Sequence, residues 1–148
     1  MKLTKSACAI LLTLGASAAH AESIISITHT RAFETAATAM SGGGFLEITN
    51  AGDTDDTLVG IVADFPSTQL HTTEFNDGIA SMKHVDGISI PAGQTVTLEP
   101  GGYHIMFMGL KGDPFEIGET IPATLVFEHA GDIDVSFDVV AREMAHTN

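Results

Sequence analysis

Short runs in which apolar and polar residues alternate recur along most of the chain, and turn residues separate them. Alternation with a period of two is typical of β-strands, because successive side chains of a strand point to opposite faces. None of the runs has the period of an amphipathic helix of three turns. Eight or nine short strands at this spacing predict an all-β fold, an antiparallel β-sandwich. The predicted strands are residues 24–30, 44–50, 57–63, 69–75, 79–85, 94–99, 103–110, 121–128 and 132–140.

Two segments between the runs affect the predicted topology. Asn76, Asp77 and Gly78 predict a turn, so residues 69–75 and 79–85 are expected to form a hairpin. The weakest stretch is residues 31–43, which is rich in alanine and glycine. It is expected to be a loop or one helical turn.

The first 21 residues have the features of a cleaved signal peptide. Lys2 and Lys5 form a positive region, residues 7–18 are apolar, and Ala19-His20-Ala21 is a small-x-small cleavage pattern. The apolar stretch is too short to span a bilayer, so we expect an exported protein without membrane insertion. The predicted organisation is a signal peptide (1–21), one β-sandwich domain (22–141) and a flexible C-terminal tail (142–148).

The cysteine content limits the chemistry of the mature chain. Cys8 is the single cysteine and lies within the predicted signal peptide, where it is expected to be an apolar filler. The mature chain is therefore expected to lack thiols, which excludes disulfides and thiolate copper sites, including the blue-copper type.

The charge of the chain is strongly acidic. The full sequence has six Lys and Arg against nineteen Asp and Glu, a net charge of −13. Such a charge repels nucleic acid and anionic lipid and favours metal ions or cationic partners, although it also serves plain solubility. No nucleic-acid partner is expected.

Four residues in the middle of the chain form the candidate chemistry: His71, Met82 after ten intervening residues, His104 after twenty-one more, and Met106 one residue further on. Two imidazoles and two thioethers are a soft, neutral ligand set, which suits Cu(I) and does not suit zinc, magnesium or calcium. Each residue alone has an ordinary alternative, since a histidine can lie on the surface and a methionine can fill a core. The combined spacing favours one copper site.

The residues around these four resemble the PCuAC family of copper chaperones, whose motif has the same His-x10-Met-x21-His-x-Met spacing. The resemblance includes Gly101–Lys111 and extends, in the same order, through Gly44–Asn50, Asp56–Gly60 and Ile90–Gly93. It implies a cupredoxin-like, immunoglobulin-like Greek-key sandwich, which agrees with the strand pattern. It also implies a periplasmic chaperone, and the chain is expected to be a monomer. Such a chaperone binds one Cu(I) and delivers it to the copper centre of cytochrome c oxidase subunit II or to a thioredoxin-like oxidase-assembly protein.

The chain departs from the family pattern at a few positions. Thr73 and Ala80 occupy positions where family members often have methionine, which puts the copper affinity in question more than the identity of the metal. His84 shares a strand face with Met82 and is an added candidate ligand. Met144 and His146 in the tail are candidates for a further copper ligand or site.

Two other classes of function stay open on the sequence. One is an electron-transfer or oxidative copper protein, against which the expected lack of thiolate and the two thioethers count. The other is a metal-free exported interaction module in which the methionines belong to the core. The acidic residues form no recognisable acid–base pair and no Ser-His-Asp order stands out, so an enzyme is not expected.

Overall fold

Ten β-strands make up the computed structural model, which describes residues 22–142. The predicted signal peptide, and Met144 and His146 of the tail, lie outside the described residues. The strands are β1 (Ile25–Phe33), β2 (Ser41–Asn50), β3 (Asp56–Ala63), β4 (Ser67–Asn76), β5 (Ile79–His84), β6 (Ile88–Ile90), β7 (Thr95–Leu98), β8 (His104–Met108), β9 (Thr120–Phe127) and β10 (Gly131–Val140).

The strands hydrogen-bond in the order β5-β4-β8-β2-β1-β10-β9-β3-β6, and β7 pairs with β2. The sheet curls so that β4 and β3, which are far apart in this order, lie next to each other. The Thr68 hydroxyl on β4 donates a 2.7 Å hydrogen bond to the Ile61 carbonyl on β3. The enclosed core is made of the inward residues of most strands, among them Leu46, Leu58, Ile105, Leu125 and Phe137. The predicted all-β fold is confirmed. All pairs are antiparallel except β1 with β10, which run parallel.

Residues 31–43 were predicted to be a loop or one helical turn, and this was wrong at both ends of the segment, which belong to strands. β1 continues to Phe33 and β2 begins at Ser41, so residues 34–40 alone connect them. The alternation of β1 is interrupted by a register shift between Thr28 and Arg31, where His29 has φ 54°. The short strand β6 had not been predicted at all.

The predicted hairpin is confirmed, and its turn fixes the pairing of β4 with β5. Asn76 pairs with Ile79, which leaves Asp77 and Gly78 as a two-residue loop. Their φ values are 51° and 79°, as a type I′ turn requires. This register places His71 opposite His84 and Thr73 opposite Met82.

No helix in residues 22–142 is long and apolar enough to cross a membrane.

Candidate metal centre

The four predicted ligands lie on one face of three adjacent strands, β5, β4 and β8. In the register of β4 with β8, His71 is opposite His104 and Gln69 is opposite Met106. Leu70 and Ile105, which form the pair between these two, are buried in the core. Because side chains alternate along a strand, the histidines and methionines lie on the other face, away from that core.

His104 is buried on this face although it points away from the main core, and only 3% of it is exposed. The Phe45 ring lies beside it, with 6.5 Å between the ring centroids. Its Nδ1 lies 3.0 Å from the Gly102 carbonyl oxygen. A carbonyl only accepts, so Nδ1 carries the hydrogen and Nε2 keeps its lone pair. That Nε2 is buried and has no hydrogen-bond partner within residues 22–142.

His71 is oriented in the same way by a different group. Its Nε2 lies 2.9 Å from the Gln69 Oε1, while the Gln69 Nε2 donates to the Ser67 hydroxyl. The amide oxygen therefore accepts a hydrogen bond from His71, and the lone pair is on Nδ1. This Nδ1 is also buried and has no partner in the part of the chain that the structure describes. Burial, and the nearby His104 and His84 rings, lower the pKa of His71 below its usual value. The ring is thus kept neutral, which is the form that binds a metal.

The distance between the two rings suits one shared ion. Their centroids are 5.8 Å apart. With metal–nitrogen bonds of about 2 Å, two imidazoles on one ion have ring centres about 5 to 6 Å apart. A buried nitrogen without a partner costs free energy, of about 1 to 3 kcal/mol. Two such nitrogens on adjacent rings are suited to bind one metal ion between them.

The two methionines lie on either side of His104 in one groove. Met82, His104 and Met106 line this metal groove together with Phe45 and Thr73, and further out with Phe33 and Arg142. Met106 is half-buried on β8, whereas Met82 on β5 is 62% exposed and forms the rim. Among residues 22–142, Arg142 is the single charged residue that lines the groove. This described lining is therefore neutral to positive in a strongly acidic protein.

The groups that orient and cover the two histidines had not been predicted. Gln69 and Gly102 orient the two histidines, and Phe45 covers His104. Gln69 could have been found, because it is two residues before His71 and so shares its strand face. In residues 22–142 no group of three or more His, Cys, Asp or Glu side chains is placed to hold a metal ion. The candidate set combines imidazoles with thioethers instead.

A family model described as "Putative lipoprotein LpqE-like" matches residues 10–139. The chain belongs to the LpqE-like family. A curated relative of this LpqE-like chain is a "Putative lipoprotein" of Leifsonia xyli subsp. xyli, with 38% identity over 106 residues. The match covers 70% of this chain and 63% of the relative, so the chain spans less than two thirds of that protein's length.

Two solved structures resemble the LpqE-like chain in fold and in sequence. The copper-bound PCuAC domain from PmoF2 has 28% identity and a TM-score of 0.66, with 80% of this chain and 93% of that chain covered. CuI-DR1885 from Deinococcus radiodurans has 32% identity and a TM-score of 0.58, with 84% of both chains covered. The predicted resemblance to PCuAC domains is confirmed, and so is the predicted cupredoxin-like β fold.

Proposed function

We propose that this protein is an exported, non-enzymatic carrier of Cu(I) that binds one ion through His71, Met82, His104 and Met106. The observation that carries the proposal is the pair of buried, unpartnered nitrogens on adjacent rings. Each ring is held by an oxygen acceptor on its other nitrogen, which is how metal-binding histidines are oriented in proteins. Solved relatives named as copper-bound and CuI forms support the same metal.

Delivery, rather than redox chemistry, is the role that fits this ligand set. Thioethers and neutral imidazoles stabilise Cu(I), and the exposed Met82 leaves one side of the site open to an incoming ligand. The acceptor we propose is the copper centre of cytochrome c oxidase subunit II, or a thioredoxin-like oxidase-assembly protein, reached by a monomeric carrier in the periplasm. The lipoprotein family and relative support an exported or membrane-anchored location.

The proposal predicts that residues 22–148 bind one equivalent of Cu(I) and that zinc at equal concentration does not displace it. Zinc gains little from thioethers, whereas Cu(I) prefers them. A Cu(I) titration against a chromophoric chelator measures the affinity, and copper X-ray absorption identifies the ligands. Nitrogen and sulfur should both be found in the first shell. A shell of nitrogen and oxygen alone would contradict the proposed site, and the absence of binding would favour the metal-free interaction module.

Cu(I) affinity should also depend on pH through the imidazoles. A protonated ring has no lone pair for the metal, and an unperturbed imidazole titrates near pH 6.5. The pKa of His71 is lowered, so protons compete with copper for this ring only at a pH further below that value. Affinity is therefore expected to fall as the pH drops below the usual imidazole range, because protons then compete with the metal for the ring nitrogens. His71→Ala should reduce the slope by one proton. An affinity that stays constant from neutral pH to about pH 5 would show that histidine is not a ligand.

A further inference from the structure

A third histidine continues the row formed by His104 and His71. His84 on β5 is opposite His71, so the three rings lie side by side across β8, β4 and β5. The His71 and His84 centroids are 6.1 Å apart, and those of His71 and His104 are 5.8 Å apart. His71 is the middle ring and has a neighbour at nearly the same distance on each side.

Both pairs are close to the spacing that one bridging ion requires. Two imidazoles on a shared ion have ring centres about 5 to 6 Å apart. His71 has one free nitrogen, Nδ1, so it can serve one pair at a time. A thioether accompanies each outer ring, since Met106 follows His104 by two residues on β8 and Met82 precedes His84 by two on β5. Residues two apart on a strand share a face.

The row also runs from the interior to the surface. His104 is buried, His71 is half-buried, and the side chain of His84 is 55% exposed. Met82 beside it is 62% exposed. An ion held by His71 and His84 would therefore be open to an incoming ligand over a wide angle, whereas an ion held by His71 and His104 would be open only on the side of Met82.

We infer that His71, His84 and Met82 form a second, outer Cu(I) site through which the ion leaves the protein. This inference rests on the proposed function. The ion keeps His71 and Met82, exchanges His104 and Met106 for His84, and is then within reach of an acceptor. The copper stays Cu(I) and every ligand is neutral, so no electron or proton is transferred. Asp86 lies 3.3 Å from His84 Nε2, which leaves Nδ1 for the ion.

The equilibrium test compares His84→Ala in two backgrounds, by Cu(I) competition titration of the mature chain. In the parent, His84→Ala should weaken binding by less than about threefold, because the outer site holds a minority of the ions. In the His104→Leu background the outer site is the remaining one, so His84→Ala should weaken binding further by about tenfold or more. His129→Ala, which removes another exposed histidine, is the control in both backgrounds.

Each result of this titration bears on the inference. Equal affinities of His104→Leu and the double variant would overturn the outer site while leaving the proposed function intact. A loss of affinity in the parent as large as in the His104→Leu background would also overturn it, since His84 would then be an ordinary ligand of a single site. A parent that binds no Cu(I) would overturn the proposed function itself.

A kinetic measurement tests the outward path by stopped-flow transfer of Cu(I) to an excess of bathocuproine disulfonate. His84→Ala should slow the transfer by about tenfold, the effect of losing about 1.4 kcal/mol of stabilisation of the intermediate. His84→Met should restore the rate, because a thioether at the same position is again a neutral Cu(I) ligand. Transfer by His84→Ala at the parent's rate would exclude this path.

Discussion

Replacing His104 by leucine is expected to lower the Cu(I) affinity by more than about 100-fold. Removing a group that only orients a ligand already lowers metal affinity by about 10- to 100-fold, and His104 is proposed to be a ligand itself. The variant should stay folded. Leucine is apolar and of similar size, and it removes the buried Nε2 that has no partner. The Gly102 carbonyl still accepts a hydrogen bond from the Thr73 amide. The free energy of unfolding should therefore change by about 1 kcal/mol or less, or rise.

The Cu(I) affinity and the free energy of unfolding together distinguish a metal ligand from a residue that serves the fold alone. A Cu(I) competition titration gives the affinity, and urea denaturation followed by circular dichroism gives the free energy of unfolding. If His104 serves the fold alone, His104→Leu should lower that free energy and leave copper binding as it was. This pattern would contradict the proposed site.

Replacing Asp56 by alanine is expected to have the largest effect on stability, about 3 kcal/mol or more, because buried donors lose a charged acceptor. Asp56 is 1% exposed. Its carboxylate accepts hydrogen bonds from the Ser23 hydroxyl and from the amides of Thr57, His129 and Ala130. These bonds join the start of β3 to the segment before β1 and to the β9–β10 turn. Urea denaturation measures the loss.

The same carboxylate makes stability depend on pH in a defined direction. Burial alone would raise the pKa of Asp56, but the four hydrogen bonds together hold it below its usual value. A lowered pKa means that the contribution is complete above the unfolded value of about 3.9 and is lost as the pH falls through the folded value. Asp132→Ala, which removes an exposed carboxylate, should change stability by about 0.5 kcal/mol at most. Equal stabilities of the two variants would contradict the role of Asp56.

The sequence predicted the β4–β5 hairpin but not its register. The turn residues and the alternation on either side predicted the hairpin, but left open whether Met82 or His84 is level with His71. Asp77 and Gly78 alone form the loop, and this sets the register at His71 opposite His84. A loop one residue longer would shift the pairing, and a shift of one residue turns each side chain to the other face.

Other parts of the fold depend on contacts that a local pattern does not contain. The start of β2 has three successive glycines, which are uncommon in strands. A Cβ atom on Gly42 would lie 2.3 Å from the Phe115 ring, so this strand position requires glycine for close packing. The parallel pairing of β1 with β10 joins residues more than a hundred positions apart, and no property of either strand indicates it.

The sequence predicted four candidate ligands but not the groups that orient and cover them. The four residues followed from ligand chemistry and spacing, and they stay a prediction until Cu(I) binding is measured. The acceptor for His104 is the Gly102 carbonyl, a backbone group that any residue carries, so its identity gave no signal. The cover over His104 comes from Phe45, almost sixty residues earlier, through the pairing of β2 with β8.

The parallel pair of β1 and β10 also determines which way a tethered molecule would face. Both strands run toward the metal groove, which Phe33 at the end of β1 and Arg142 after β10 help to line. Glu22, by contrast, lies just before the start of β1, where its amide donates a hydrogen bond to the Asp53 carboxylate. The nine residues of β1 separate these two ends by about 25 Å. An attachment that enters through Glu22 would therefore anchor the domain at the end opposite the groove and leave the groove facing away from the point of attachment.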